Sequence, residues 1–146
     1  MTSCCTTPGN SAPPRAICPR NGKSYAAVSL RTVLHQLRKP WQWQLPQQGY
    51  YFCADPHCEV VYFGEDQSLI LGSSLRQPVG QKSTAARRPL CYCFDIDTLD
   101  IATPAALQTA HAFVIAQTQN GHCDCEIRNP SGRCCLKDFP RPKARH

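Results

Sequence analysis

The sequence has few of the large apolar side chains that build a protein core. Only 28 of its 146 residues are Leu, Ile, Val or Phe, and its formal net charge is +6. This composition borders on that of chains that remain unfolded. Burial of apolar surface alone is therefore a weak source of stability here, and small proteins in this situation usually add disulfides or metal ions.

Long apolar runs are also missing. The first residues, MTSCCTTPGNSAPP, lack the apolar core of a secretion signal, and no window approaches 18 uninterrupted apolar residues. These absences argue against secretion and against membrane insertion. We therefore expect a cytoplasmic protein.

Cysteine, in contrast, is abundant. The chain has 11 cysteines, an odd number that cannot pair completely within one molecule. Cytoplasmic thiols are kept reduced, so a cysteine framework in that compartment indicates metal ligation or redox chemistry rather than disulfides.

The composition divides the chain into four segments. Residues 1–17 are rich in Thr, Ser, Pro and Gly and predict a flexible arm. An N-terminal lobe follows over 18–88 and a C-terminal lobe over 89–139, with a polar, basic linker (76–88) closing the first lobe. Residues 140–146 predict a disordered basic tail.

Local patterns predict an α+β fold. In the N-terminal lobe they favour a strand over 26–30 and a helix over 32–39 that buries Val33, Leu34 and Leu37. A hairpin of 50–53 and 59–63 follows, with one or two further strands. In the C-terminal lobe we expect a short helix over 98–102 and then a long helix, which Thr103 caps, Pro104 begins and Asn120-Gly121 ends.

Three cysteines of the N-terminal lobe are spaced like the ligands of a structural zinc site. Cys53 and Cys58 flank the tip of the predicted hairpin, and Cys18 opens the segment CPRNG. Structural zinc usually takes four ligands from two tight turns, each presenting a pair of thiolates. Three thiols around a hairpin rich in Tyr and Phe favour zinc over the alternative that each is a small buried hydrophobe.

The fourth zinc ligand is missing from its expected place. A second cysteine should stand three residues after Cys18, but Asn21 occupies that position. We predict Cys5 as the fourth ligand, because four thiolates are a common structural set. Cys4 and His57 are the alternatives.

The C-terminal lobe arranges its cysteines differently. Two C-x-C pairs lie on either side of the long helix, and a CC pair follows the turn signal NPSG. A [2Fe-2S] cluster needs two thiolates on each iron, supplied by separate segments. Cys91 and Cys93 would point to one side and share one iron. Cys125 would then share the second iron with one residue of the CC pair.

Several motifs of this chain closely resemble one family. CPRNGK, GYYFC, VVYFG, CYCF and NPSGRCC are all similar to the cysteine-rich amino-terminal domain of CopZ-type copper chaperones, and they extend from Cys18 to Phe139. The C-terminal half also resembles the [2Fe-2S] module of bacterioferritin-associated ferredoxin. The implied fold is a zinc-ribbon-like β-hairpin lobe followed by a small helix-turn-helix [2Fe-2S] lobe.

The resemblance also implies ligands and an activity. It implies a [2Fe-2S] cluster, a four-cysteine zinc site and copper handling that includes reduction of Cu(II) to Cu(I). The zinc ligands fall on Cys18, Cys53 and Cys58. The cluster ligands fall on Cys91, Cys93, Cys125 and Cys135, with Cys134 as the alternate for the last. The family's copper domain carries a GMxCxxC-type loop, and no such loop occurs in residues 1–146.

Three cysteines remain after these assignments: Cys4, Cys123 and Cys134. Soft thiolates select Cu(I). We hypothesise that Cys123 and Cys134 form a two-coordinate Cu⁺ site near the cluster. The alternative is that both are packed and inert.

We therefore predict an iron-sulfur metallochaperone for copper or another soft metal, without a catalytic constellation. Its partners would be a copper-transporting ATPase or other metal-handling protein, and a redox partner. One alternative is a ferredoxin-like electron-transfer module for an unknown partner, and another is a zinc-only interaction or nucleic-acid adaptor. Nucleic-acid binding is not favoured, because the sequence from Leu90 onward is net neutral and no predicted helix carries clustered Arg or Lys.

Overall fold

An antiparallel sheet dominates the first half of the computed structural model, which describes residues 12–140. Consecutive strands pair along the chain in the order β1 (Arg15–Ile17), β2 (Ser24–Val28), β3 (Tyr50–Phe52), β4 (Val60–Gly64) and β5 (Leu69–Leu71). The predicted hairpin is confirmed as β3 and β4, with Tyr51 opposite Phe63. The mixed α and β class is confirmed too, but the hairpin is the centre of a five-stranded sheet rather than a lobe by itself.

Strand β1 lies inside the segment that we predicted as a flexible arm. Arg15 donates from Nε to Oγ of Ser24 at 3.0 Å and from its guanidinium to the Ser24 carbonyl at 2.8 Å. The Tyr51 hydroxyl donates to the carbonyl of Pro13 at 2.8 Å. These hydrogen bonds hold the strand without burying apolar side chains, so the polar composition of residues 1–17 did not predict it. Residues 1–11 of the predicted arm and 141–146 of the predicted tail lie outside the described residues.

The sheet buries side chains on both faces. Successive residues of a strand point to opposite faces, so Tyr50 and Phe52 join one apolar cluster while Tyr51 and Cys53 join another. The first cluster packs against helix α1 (Leu30–Gln36). The second contains Cys18 and Cys53. The small core is thus divided between two faces, and one of them carries cysteine sulfurs.

Helix α1 begins and ends earlier than predicted. Ser29 caps it, with Oγ accepting from the N–H of Thr32 at 3.2 Å, and the chain leaves the helix at Leu37. Pro40 instead starts a 3-10 turn, Pro40–Gln42. Val33 and Leu37 are buried as expected, whereas Leu34 is only partly buried. Two polar residues of this helix, Thr32 and Gln36, are fully buried.

The C-terminal lobe is built around one long helix. Its elements are β6 (Pro89–Cys91), β7 (Ile96–Asp97), a 3-10 turn (Thr98–Ile101), α2 (Pro104–Gln119) and α3 (Cys125–Arg128). Helix α2 confirms the prediction, because Thr103 Oγ1 accepts from the N–H of Ala106 at 3.1 Å and Gly121 ends it with φ of 74°. The short helix expected over 98–102 is the 3-10 turn. Within residues 12–140, no helix has the length and apolarity needed to cross a bilayer.

Buried donors of the sheet half hold the segment around α3. Thr32 Oγ1 donates to the carbonyl of Glu126 at 2.5 Å, and Gln36 Nε2 donates to that of Arg128 at 2.9 Å. The Tyr62 hydroxyl donates to the carbonyl of Pro130 at 2.5 Å. The last carbonyls of a helix lack partners within it, so the bonds from Thr32 and Gln36 satisfy two carbonyls of α3. Together with the bond from Tyr62, they fix α3 against α1 and β4.

The linker between the sheet and β6 makes one very close contact. A Cβ atom added at Gly80 would lie 1.9 Å from the carbonyl oxygen of Pro89, whereas one added at Gly72 would meet Val61 at 3.8 Å. We expect Gly80→Ala to lower the free energy of unfolding in urea by about 1–3 kcal/mol, the usual cost of overpacking. Gly72→Ala is the matched control and should change it by less than about 0.5 kcal/mol. Equal effects of the two substitutions would contradict this packing.

Candidate metal centres

Three cysteine sulfurs converge at one end of the strands β1, β3 and β4. The Sγ atoms of Cys18, Cys53 and Cys58 all lie within 4.8 Å of one another, and those of Cys18 and Cys58 are 4.0 Å apart. Cys18 comes from the turn between β1 and β2, and the other two come from the ends of the β3–β4 loop. Four sulfurs around tetrahedral zinc, each about 2.3 Å from the metal, lie about 3.8 Å apart. The spacing therefore fits zinc, as the sequence predicted.

The turn that carries Cys18 directs backbone donors at its sulfur. The N–H of Gly22 donates to the Cys18 carbonyl at 3.0 Å, and Gly22 adopts φ of 74°, which glycine tolerates best. Burial by itself raises the pKa of the Cys18 thiol, but the backbone N–H groups of Asn21 and Arg20 donate to it and bring the pKa below its usual value. The thiolate is the form that binds metal, so this turn prepares Cys18 as a ligand.

Asn21 stands at the corner where a fourth cysteine was expected. Its Nδ2 lies 3.3 Å from Cys53 Sγ, 3.0 Å from the Tyr25 hydroxyl oxygen and 3.2 Å from Asp55 Oδ2. Its Oδ1 accepts from the backbone N–H of Lys23 at 2.8 Å. The amide therefore presents an N–H group to Cys53 Sγ, while its oxygen accepts from Lys23. Asn21 supports Cys53 as a donor and is not itself a ligand.

Lys82 is a second donor at Cys53, and the sequence gave no sign of it. Its Nζ lies 3.9 Å from Cys53 Sγ and donates to the carbonyls of Cys53 at 3.0 Å and of Asp55 at 2.5 Å. Lys82 therefore places an ammonium group next to this sulfur. Lys82 ends a 3-10 turn, Gly80–Lys82, in the segment that we predicted as a polar linker. That segment is thus part of the site.

The predicted fourth zinc ligands are not joined to this group among the described residues. Cys5 and Cys4 lie outside residues 12–140. His57 is exposed, and it is not part of the group of three sulfurs. Its backbone N–H donates to Asp55 Oδ1 at 2.9 Å, which shapes the loop. The three sulfurs are therefore the donors that this fold itself brings together.

Four further cysteines form two close pairs in the C-terminal lobe. Cys93 Sγ lies 3.5 Å from Cys125 Sγ, and Cys91 and Cys135 lie near enough for each to shift the pKa of the other. The sharing of one iron by Cys91 and Cys93 stays a prediction, and the sulfur contact shows that Cys125 lies beside Cys93. Strand β6 ends at Cys91, and the turn that follows carries Cys93. Two pairs of thiols suit a cluster that takes two thiolates on each iron.

Hydrogen bonding and burial shift the pKa values of these thiols in opposite directions. The hydrogen bond from Cys135 lowers the pKa of Cys91 to about 6, and the same bond raises the pKa of Cys135. Burial raises the pKa of Cys125 to about 12 and also raises that of Cys93, although the backbone N–H of Asp124 donates to Cys93 Sγ at 3.0 Å.

The two remaining described cysteines, Cys123 and Cys134, lie near different members of this group. Negative charge on Cys123 acts on Cys93, and negative charge on Cys134 acts on both Cys125 and Cys135. Within residues 12–140, no sulfur contact joins Cys123 to Cys134. Cys135 is fully buried and Cys134 partly exposed. Of the adjacent pair, Cys135 is therefore the one that contacts Cys91.

Known proteins are similar to this chain in sequence and in fold. Residues 15–76 match a zinc-binding domain of the CopZ type. The copper chaperone CopZ of Archaeoglobus fulgidus is 35% identical over 94 residues, which cover 64% of this chain and 45% of that protein. The chain thus matches less than half the length of that relative. The X-ray structure of the A. fulgidus CopZ N-terminal domain matches with a TM-score of 0.64 and 29% identity, covering 86% of this chain and 100% of that structure. The resemblance predicted from the sequence is confirmed.

Proposed function

Because residues 15–76 carry a CopZ-type zinc-binding domain and the fold is that of the CopZ N-terminal domain, we propose that this chain is a metallochaperone with two thiolate centres. The observation that carries the proposal is the convergence of Cys18, Cys53 and Cys58 on one point. The chain binds zinc there. It handles copper, or another soft metal, through its C-terminal lobe.

Zinc at the first centre has a supporting role. Its ligands are Cys18, Cys53 and Cys58, with Cys5 as the predicted fourth and Cys4 or His57 as alternates. Zinc has no redox chemistry, and two of these cysteines lie in the apolar cluster on one sheet face. Metal binding would tie the turn after β1 to the hairpin, adding stability that the sparse apolar core does not provide.

The second centre is the redox part of the proposal. Cys91, Cys93, Cys125 and Cys135 would hold a [2Fe-2S] cluster, with Cys134 as the alternate for Cys135. When bound, such a cluster supplies one-electron transfer, which is what conversion of Cu(II) to Cu(I) requires. This chain's own residues position the sulfurs: the N–H of Asp124 donates to Cys93, and the contacts of α1 and Tyr62 with the α3 segment hold Cys125.

Copper is the substrate of the proposed activity. Thiolates are soft ligands that select Cu(I), and Cys123 and Cys134 flank the four sulfurs of the second centre. We propose that they take Cu(I) in the cytoplasm and that a copper-transporting ATPase or other metal-handling protein receives it, with a separate redox partner reducing the cluster. Since the two sulfurs are not in contact, Cu(I) binding would have to draw their segments together.

A titration of the reduced protein with Cu(I) tests the copper proposal. The double variant Cys123→Ala/Cys134→Ala should lose one equivalent of tightly bound Cu(I) in competition with a Cu(I) chelator, while its iron content is unchanged. Unchanged stoichiometry and affinity would contradict the Cu(I) site. If the unmodified protein also fails to convert Cu(II), the ferredoxin-like electron carrier becomes the better assignment.

A further inference from the structure

Three consecutive residues of the linker connect the two thiol centres. They form the 3-10 turn Gly80–Lys82, which lies in the chain between the sheet and β6. Lys82 Nζ donates to the carbonyl oxygens of Cys53 at 3.0 Å and of Asp55 at 2.5 Å, and it lies 3.9 Å from Cys53 Sγ. The lysine therefore joins the turn to the β3–β4 loop, which carries two of the three sulfurs of the first centre.

Gly80 joins the same turn to the second centre. Its N–H donates at 2.7 Å to the hydroxyl oxygen of Tyr92, which is the middle residue of the CYC motif. A Cβ atom added at Gly80 would lie 1.9 Å from the carbonyl oxygen of Pro89, so the turn packs directly on β6. This residue therefore contacts the segment that carries Cys91 and Cys93.

Gln81 reaches the segments of the other two cysteines of the second centre. Its Nε2 donates to Asn129 Oδ1 at 3.0 Å and to Asp138 Oδ2 at 3.2 Å. Asn129 is 1% exposed, and its backbone N–H donates to the carbonyl of Cys125 at 3.0 Å. Asp138 ends the 3-10 turn that Cys135 begins. Each residue of the Gly80–Lys82 turn thus contacts a different cysteine-bearing part of the fold.

We propose that the Gly80–Lys82 turn couples the two centres, so that metal bound at one strengthens metal binding at the other. The proposal rests on the proposed function, because both centres must bind metal. Metal at Cys53 fixes the loop whose carbonyls hold Lys82, and ordering a long lysine side chain then costs less conformational entropy. The ordered turn in its place holds Tyr92 and the partners of Gln81. A ligand that binds an already ordered protein has less ordering to do, so the two binding events are cooperative.

Coupling of this kind is reciprocal. If zinc strengthens binding of the cluster, the cluster strengthens binding of zinc by the same factor, typically about 5- to 150-fold. Thiolate zinc centres bind so tightly that a change of this size leaves zinc in the purified Cys93→Ser variant. Zinc affinity, measured by competition, therefore reports the coupling without any copper or redox activity.

Competition with a chromophoric zinc chelator gives the zinc affinity of the cluster-loaded chain and of its cluster-free variant Cys93→Ser. We expect the affinity to be about 5- to 150-fold higher with the cluster. The same pair is measured in a Lys82→Met background, where this ratio should fall to within about twofold of one. A lysine that only stabilised the zinc centre would change both affinities equally and leave the ratio unchanged.

Lys23→Met is the matched control. Lys23 Nζ lies 3.9 Å from Asp55 Oδ2, so this substitution removes an equal charge from the same loop without touching the turn. Its ratio should equal that of the unmodified chain. Tyr92→Phe breaks the connection at its other end while keeping the aromatic ring, and it should lower the ratio as well. Tyr92→Phe decides the matter if Lys82→Met does not fold.

Three results would overturn the coupling through this turn. The first is equal zinc affinity with and without the cluster in the unmodified chain. The second is a ratio that stays at the unmodified value in folded Lys82→Met or in Tyr92→Phe. The third is a ratio that falls in Lys23→Met as far as in Lys82→Met, because loss of charge alone would then explain both. An unmodified chain that binds no zinc, or carries no cluster, would instead refute the proposed function.

Discussion

Replacing Cys93 with serine is expected to remove iron and labile sulfide from the purified protein while zinc remains bound. Cys93 Sγ lies 3.5 Å from Cys125 Sγ and accepts the backbone N–H of Asp124 at 3.0 Å, so it occupies the centre of the second thiol group. A serine hydroxyl is a poorer ligand for iron than a thiolate. The three zinc sulfurs belong to the sheet, and none of them contacts Cys93.

Iron, sulfide and zinc measured together on the same anaerobic sample decide this prediction. Cys134→Ser is the matched control, because Cys134 neighbours the same group while Cys135 is the residue in contact with Cys91. It should keep its iron. If Cys134→Ser lost iron and Cys135→Ser did not, Cys134 rather than Cys135 would be the iron ligand. If Cys93→Ser also lost zinc, the two centres would depend on each other.

Replacing Cys58 with serine should have the opposite effect: zinc is lost and iron is retained. The sheet half should also become less stable, because zinc joins the turn at Cys18 to the β3–β4 hairpin. We expect the free energy of unfolding to fall by about 4 kcal/mol, the stabilisation that a ligand gives at a thousand times its dissociation constant. Chemical unfolding followed by far-UV circular dichroism, with zinc analysis of the folded sample, measures both effects.

His57→Ala is the control for Cys58→Ser, since His57 lies in the same loop but is exposed and outside the group of sulfurs. It should retain zinc and lose little stability. If His57→Ala released zinc as readily as Cys58→Ser does, the histidine would be the fourth ligand. If Cys58→Ser kept its zinc and its stability, the first centre would not be a metal site.

Local sequence signals predicted those elements whose ends are determined by neighbouring residues. Helix α2 begins after Thr103 and ends before Gly121, because the capping side chain and the glycine with positive φ lie next to the helix in the sequence. The β3–β4 hairpin followed from its dense aromatic and β-branched residues. Helix α1 was placed two residues late, because Ser29 rather than a later residue supplies the capping oxygen.

Contacts between distant segments could not be predicted in this way. The buried Thr32 and Gln36 looked like surface residues in a helical pattern, yet their acceptors lie 94 and 92 residues further along the chain. Lys82 is 29 residues from Cys53 and looked like part of a solvated linker. Such partners depend on how the chain folds back, which spacing does not show.

The cysteines include both sulfurs that local turns bring together and sulfurs that meet from distant segments. Spacing identified Cys18, Cys53 and Cys58, because two tight turns present them and turns are local. Spacing did not show the contact between Cys93 and Cys125, which are 32 residues apart in the chain. The sulfurs that local turns bring together were thus predictable, whereas a sulfur contact between distant segments was not.

Metal and sulfide analysis of the anaerobically purified, unmodified protein tests most directly whether its cysteines form one zinc centre and one iron-sulfur centre. We predict one zinc, two irons and two labile sulfides per chain, with the reddish colour of a [2Fe-2S] protein. A colourless, folded protein that contains zinc but neither iron nor sulfide would contradict the account.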